Sequence, residues 1–267
     1  MKRAKPPAKR GTASANRSVK AKFIPEMNEG EDGERYVASM PRFEAKNDNQ
    51  RLALRFLNEG RPVVFLCGSA GSGKSLIAAY HAARMLKSKK IDKVYLIRPA
   101  VVVGQTLGFL PGDADSKLAP FFAQSIAHMT KFLGEGAMQY MLEKKVIEMV
   151  PCEYLRGRSF ENAVCLLEES QNFTADEMQM VLTRLGENCS YIFTADQKQH
   201  DLRGVSGITT TLKMFADALE KAPDYLEDAD LDELESGIGI VQFMPADVLR
   251  SGLTRSFVKM YYYNEGI

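Results

Sequence analysis

The sequence predicts an α/β fold, a mostly parallel sheet with helices on both faces. Three observations carry that expectation. Short apolar runs alternate along the chain with longer stretches of helical pattern, the alternation that builds strand–helix–strand units. The runs are continuous rather than alternating in polarity, as strands buried on both faces require. One of them, Val63-Val64-Phe65-Leu66-Cys67, opens directly into Gly68-Ser69-Ala70-Gly71-Ser72-Gly73-Lys74-Ser75, and an Ala- and Leu-rich helical stretch, Leu76 to Leu86, follows at once.

Taken in order, the strands are expected at Val63–Cys67, Val94–Ile97, Val146–Val150, Val164–Leu167, Tyr191–Thr194 and Ile238–Phe243, with helices between most of them. Polar or glycine residues follow these runs, so the loops that could carry chemistry gather where the strands end.

The glycine loop is a complete G-x-x-x-x-G-K-S pattern in the strand-to-helix context that gives the pattern its meaning. Gly68, Gly71 and Gly73 let the backbone curl so that its N–H groups point inward around phosphates, and the new helix directs its positive end to the same place. Ser69, Ala70 and Ser72 complete the cradle. Lys74 is placed to reach the β and γ phosphates of ATP or GTP, and the Ser75 hydroxyl to ligate Mg2+. The bland alternative, a flexible Gly/Ser loop beside a core strand, does not account for the Lys-Ser ending.

Hydrolysis needs carboxylates near that loop. Val164-Cys165-Leu166-Leu167 ends in Glu168-Glu169-Ser170-Gln171-Asn172. We assign Glu168 to the Mg2+ shell and Glu169 to orienting or activating water. The next strand repeats the logic, because Tyr191 to Thr194 runs into Ala195-Asp196-Gln197-Lys198-Gln199, where Asp196 and Gln199 are candidate sensors of the γ phosphate. Solvated strand ends and polar turns are the ordinary readings of both features, and the glycine loop in the same sheet decides against them.

Composition sets the bounds. The 267 residues, 45% hydrophobic, suffice for one large domain with extensions or two small ones. No apolar run reaches the roughly 20 residues of a membrane-spanning helix. Nor does an apolar stretch near Met1 read as a secretory signal, so a cytoplasmic location without a membrane partner is expected. Cys67, Cys152, Cys165 and Cys189 lack metal-ligand or disulfide spacing and read as small core residues. The net charge of +1 conceals an asymmetry: residues 1–22 hold eight basic residues and no acid. That segment is expected to be a disordered arm, read equally as a nucleic-acid contact or a solvated tail, with a transit peptide as a third option. Residues 23–42 read as a linker and 43–267 as the domain. Within the latter, residues 223–236 form an acidic insertion whose Asp228-x-Asp230-x-Asp232 spacing fails as a calcium loop at Glu233 and Gly239.

A set of blocks in one order resembles the phosphate-starvation-inducible PhoH-like ATPases. These are Gly68 to Ser75, Arg98-Pro99 with Gly108 to Asp113, Tyr154 to Phe160, Leu166 to Asn172, Leu182 to Gly186 and Asp196 to Leu202. The resemblance covers about residues 43 to 263. It implies a RecA-like P-loop NTPase fold, Mg2+-dependent ATP hydrolysis and kinship with superfamily 1 helicases, and hence coupling to RNA or single-stranded DNA. Family members usually carry Asp-Glu-Ala-Gln-Asn where this chain has Glu168 to Asn172, and Gly-Asp where it has Ala195-Asp196. The longer Glu168 side chain moves the Mg2+ shell by a methylene, which leaves hydrolysis less secure than binding. Gln50 resembles a helicase-type adenine-reading glutamine, with a polar helix start as the competing reading. Motors of this kind use two such domains per ATP. A chain with one implies a homo-oligomer, in the family a hexameric ring, with an arginine crossing to the neighbouring site. Arg184 and Arg250 are the first candidates, then Arg156 and Arg158. A nucleotide-gated assembly or regulatory protein and a small-molecule kinase remain the alternative classes.

Overall fold

The computed structural model of the chain describes residues 40–99, 114–196 and 205–264, with residues 114–116 as backbone alone. Gln199, the block Gly108 to Asp113 and the basic segment 1–22 lie outside the described residues. The strands are β1 (Val63–Gly68), β2 (Lys93–Arg98), β3 (Ile147–Pro151), β4 (Ala163–Leu167), β5 (Cys189–Ala195) and β6 (Ile238–Phe243). The helices are α1 (Asp48–Asn58), α2 (Lys74–Lys87), α3 (Ala114–Leu133), α4 (Glu135–Glu143), α5 (Ala175–Leu182), α6 (Gly207–Lys221), α7 (Asp228–Gly237) and α8 (Gly252–Tyr263).

The strands form one six-stranded sheet in the order β3-β2-β4-β5-β1-β6. Every pairing is parallel. All six apolar runs singled out in the sequence are strands, longer than expected by a residue or two at some ends, while β3 begins one residue later than expected, at Ile147. Because the strands run one way, Gly68, Arg98, Leu167 and Ala195 finish on the same edge of the sheet, where ligands of such folds sit. One strand, β5, stands between β1 and β4, so the glycine loop and the paired glutamates follow strands that are not neighbours. This is the order of a RecA-like P-loop sheet.

Successive side chains of a strand point to opposite faces, and the two cores follow from that alternation. Val64, Leu66, Val94, Leu96, Val164, Leu166 and Ile192 face one core, packed with residues of α1, α2, α3 and α4. Val63, Phe65, Cys67, Tyr95, Ile97, Cys165, Leu167, Tyr191 and Phe193 face the other, toward Phe173, Met178, Val181 and Ile208. Phe65 stacks on Phe193 at 4.7 Å between ring centroids, and Tyr95 meets Phe160 edge-on at 4.8 Å. A side chain of this size contributes about 2–3 kcal/mol on full burial. The strands on either side of β5 are accordingly apolar: β1 and β4 are buried at every position. At the sheet edge β6 differs, exposing Ile240 and Gln242 while burying Gly239, Val241 and Phe243.

Two helices matter most to the site. In α2, the small side chains Ala78, Ala79, Ala82 and Ala83 are buried, which lets the helix lie close against the sheet. Asn47 caps α1 by accepting the Gln50 backbone N–H, and Gln50, Ala53 and Leu57 form its buried face. The acidic insertion is helical, since α7 occupies most of it with none of its residues buried.

Candidate nucleotide site

The loop between β1 and α2 is shaped by its glycines. Gly68, Gly71 and Gly73 have φ of 120°, 80° and 94°, a region that residues with a Cβ rarely enter. At Gly68 sterics add a second reason, because a Cβ there would stand 1.9 Å from the Phe243 carbonyl oxygen of β6. Ser69 N–H donates to that same oxygen at 3.3 Å, so the edge strand helps set where the loop begins.

The loop carbonyls are held by donors of the chain itself. Lys74 Nζ donates to the oxygens of Gly68 at 2.6 Å and Ser69 at 2.8 Å. Gln50 Nε2 donates to Ser72 O at 2.8 Å, Leu249 N–H to Gly71 O at 3.2 Å and Ile77 N–H to Gly73 O at 3.0 Å. With the oxygens engaged in this way, α2 starts at Lys74, after Gly73 as N-cap, with no side chain capping its first amides. Uncapped amides at a helix start, joined to a buried cation, suit an anion.

Lys74 is 9% exposed, and its two acceptors are neutral carbonyls. Burial lowers its pKa from the ordinary lysine value, while the charges of Asp196, Cys67 and Glu169 work in the opposite direction. A desolvated ammonium of this kind gains most from a strong anion close by. Ser69 Oγ, buried without a hydrogen-bond partner among the described residues, is a further polar group in the loop to be satisfied. The cradle therefore fits the phosphates of a nucleotide, with Ser75 at the second position of α2 where a hydroxyl can meet the accompanying Mg2+.

Opposite the loop, β4 delivers the paired glutamates. Glu168 is 4% exposed, and its Oε2 accepts from Arg98 Nη2 at 3.0 Å and from Ser125 Oγ of α3. Arg98 itself ends β2, the strand beside β4, and lies over the Phe122 ring at 6.0 Å from its centroid. The carboxylate assigned from sequence to Mg2+ thus stands at the expected strand end with an internal cation already on it. Nearby on α3, burial lowers the His128 pKa, against the opposing pull of the Glu168 charge.

Glu169 is of another kind. Its φ of 52° lies in the left-handed region, which costs a non-glycine residue roughly 1 kcal/mol or more. Its Oε2 accepts from Gln171 Nε2 at 2.7 Å, while Gln171 Oε1 accepts the Asp196 backbone N–H at 3.0 Å. Asp196 Oδ2 in turn accepts the Ala70 N–H of the glycine loop at 2.9 Å. One carboxamide therefore links the ends of β4 and β5, and β5 is linked to the loop. Gln171, Arg98 and Ser125 had no role assigned from sequence. Gln171 and Arg98 were visible only as members of family blocks, and Ser125 carried no signal, because its partner lies 43 residues away.

Other candidates are placed as follows. Gln50, the candidate adenine reader, is fully buried, donating to Ser72 O and accepting the Lys46 N–H at 2.7 Å. Both ends of its carboxamide are committed to main chain, so it acts as a strut for the loop. Arg184 follows α5, which returns the chain toward the amino-terminal ends of the strands. There its Nη1 donates to Arg158 O at 3.5 Å, away from its own glycine loop. Arg158 also pairs with Glu148 at 3.3 Å. Arg250, in contrast, lies against Gly71 of its own loop. The four cysteines are buried free thiols.

The family model described as PhoH-like protein matches residues 42–262. The chain belongs to the PhoH-like protein family. It is 39% identical over 221 residues to Protein PhoH of Escherichia coli K12, covering 81% of this chain and 57% of that protein. It is 35% identical over 200 residues to the PhoH-like protein of Bacillus subtilis 168, covering 74% and 58%. For the Synechocystis PhoH-like protein the identity is 33% over 221 residues, covering 83% and 62%. This PhoH-like chain thus spans less than two thirds of the length of these relatives. Among solved structures, the UvsW helicase of bacteriophage T4 aligns with a TM-score of 0.40 at 13% identity, covering 80% of this chain and 67% of that one. Family membership and the strand, glycine loop and helix at residues 63–87 make the PhoH-like chain a P-loop protein of α/β fold. No helix among the described residues is long and apolar enough to cross a membrane.

Proposed function

We propose that the chain binds ATP with Mg2+ and hydrolyses it, coupling turnover to RNA or single-stranded DNA as a helicase-like oligomeric motor. The observation that carries this reading is the linked edge of the sheet, in which Ala70 of the loop, Asp196, Gln171 and Glu169 form one hydrogen-bonded series. Such a series lets the phosphate cradle and the water-activating carboxylate sense one another.

In this reading the loop amides and Lys74 bind the phosphates, exchanging the carbonyl partners of the Lys74 ammonium for phosphate oxygens. Ser75 and Glu168 would hold Mg2+, which supplies charge neutralisation of the phosphate oxygens when bound. Glu169 orients and deprotonates the attacking water, and Gln171 keeps its carboxylate aimed. Asp196 reports on the loop, together with Gln199. Arg184 supplies positive charge to the site of a neighbouring copy in a hexameric ring, a role its position away from its own loop permits. The cytoplasm is the proposed location.

The Arg98–Glu168 ion pair favours a second reading, a nucleotide-gated assembly or regulatory protein with weak hydrolysis, since Mg2+ must share Glu168 with Arg98. ATP turnover measured with RNA, with single-stranded DNA and with neither separates the two. Stimulation by a nucleic acid is the expected result; slow turnover indifferent to both would sink the motor and leave the switch.

A further inference from the structure

The connection from β6 to α8 is tied to the glycine loop and to the helix that supports it. Leaving β6, the chain makes a turn at Pro245–Asp247, which Asp247 Oδ2 closes by accepting the Met244 N–H at 2.8 Å. The same oxygen accepts from Asn49 Nδ2 of α1 at 2.7 Å, and Asn47 Nδ2 donates to Asp247 O at 3.4 Å. Val248, 1% exposed, anchors the next step. Leu249 N–H then reaches Gly71 O at 3.2 Å. These bonds place Arg250 directly over the loop: a Cβ added to Gly71 would lie 2.9 Å from Arg250 Nε, 3.1 Å from its Cδ and 3.2 Å from its Cγ.

The placement matters because of what Gly71 does. With φ of 80°, it is one of the three glycines that shape the loop, and its carbonyl is the one that holds Leu249. Arg250 is itself exposed, and its side chain runs along Gly71 of the loop. An arginine expected from sequence to serve a neighbouring site is held, through the backbone bond of the residue before it, at its own.

We propose that Arg250 contacts the phosphates of nucleotide bound in its own loop and passes that occupancy to α8. The inference rests on the nucleotide reading of the loop given above. Transmission is short, because Arg250 lies two residues before α8. That helix packs chiefly on the Pro245–Asp247 turn and buries none of its residues. Drawing Arg250 onto phosphate shifts the start of α8 with it.

The test uses the full chain as wild type, Arg250→Ala, Arg250→Lys and Lys74→Ala. Calorimetric titration with ATP is expected to show about a tenfold or larger loss of affinity for Arg250→Ala, the effect of removing one charge-assisted contact, and a smaller loss for Arg250→Lys. Hydrogen exchange is expected to show ATP-induced protection of α8 in the wild type and none in Arg250→Ala. Mixing Arg250→Ala with Lys74→Ala chains, at ATP concentrations that do not saturate Arg250→Ala, is expected to leave turnover at the level of Arg250→Ala alone, since neither chain then has a complete site. Recovery on mixing would overturn the proposal, because it requires Arg250 to act on a neighbouring copy. Unchanged affinity with unchanged α8 protection in Arg250→Ala would overturn it too, while leaving the nucleotide reading intact. A wild-type chain that takes up no ATP overturns both.

Discussion

The loop corner and the β4 corner of this site reach the same edge of the sheet by different means. At the loop corner the ligand groups are backbone amides, their direction is set by three glycines at positive φ, and the supporting side chains Lys74 and Gln50 act on carbonyls. At the β4 corner the groups are carboxylates whose positions depend on other side chains, Arg98, Ser125 and Gln171. Under the proposed function, the difference gives binding and turnover separate structural supports. Damage to the first is then expected to remove the ligand, and damage to the second to keep the ligand and slow its hydrolysis.

Four substitutions or conditions sharpen that contrast. The largest effect is expected at the loop, where Lys74→Ala should abolish ATP binding at millimolar nucleotide, read by calorimetry on a chain whose circular dichroism is unchanged. Retained binding would mean that the amides suffice and that the corner is less dependent on its cation than the geometry implies. Next is Glu169→Gln, which should keep ATP affinity within a few-fold and slow single-turnover hydrolysis by about 100- to 1,000-fold, the usual worth of a positioned base. Normal hydrolysis by this variant would remove Glu169 from the mechanism.

The third tests the β4 corner as structure. Arg98→Met leaves the buried Glu168 carboxylate without its cation, and stranding a buried charge costs about 3 kcal/mol or more. The double variant Arg98→Met with Glu168→Met should regain most of that loss in urea unfolding. If the double variant is no better than the single one, the ion pair is not what stabilises this corner.

The smallest effect concerns His81 on α2, behind the loop. Burial, with like charge from Arg84 and Lys90, pushes its pKa down to about 3. The folded chain therefore keeps His81 neutral below pH 6.5, where the unfolded chain takes up a proton. Above pH 6.5 the group has no effect on stability, and between pH 6.5 and about 3 it costs about 1.4 kcal/mol per unit of acidification. Going from pH 7 to 5 should cost about 2 kcal/mol on this account, and His81→Leu should be correspondingly less sensitive over the same range, as measured by denaturant titration at each pH.

Much of the fold was legible because its signals are local. The β1 run is apolar on both faces, and the next eight residues specify a turn that few other sequences make. The same holds for the strand positions of Glu168, Glu169 and Asp196, which follow apolar runs that end abruptly. What stayed illegible is the commitment of each polar group. Gln50 read as an adenine reader or a polar helix start, and neither reading foretold its bonds to Ser72 O and the Lys46 N–H. Arg250 read as one of several arginines equivalent in sequence, and only the return of β6 alongside β1 brings it onto Gly71.

By itself the sequence determined a parallel α/β sheet, a phosphate cradle and the strand that carries the carboxylates, since backbone conformation and strand burial are dictated by neighbouring residues. The tertiary structure decided which side chains those groups meet. Placing β2 beside β4 gives Glu168 its arginine, placing β5 between β4 and β1 lets Gln171 and Asp196 bridge to the loop, and placing β6 at the edge delivers Arg250. The hydrogen bonds among these pairings join residues from 25 to 126 positions apart, and Arg250 meets Gly71 from farther still, where no local propensity acts and strand order alone sets the partner.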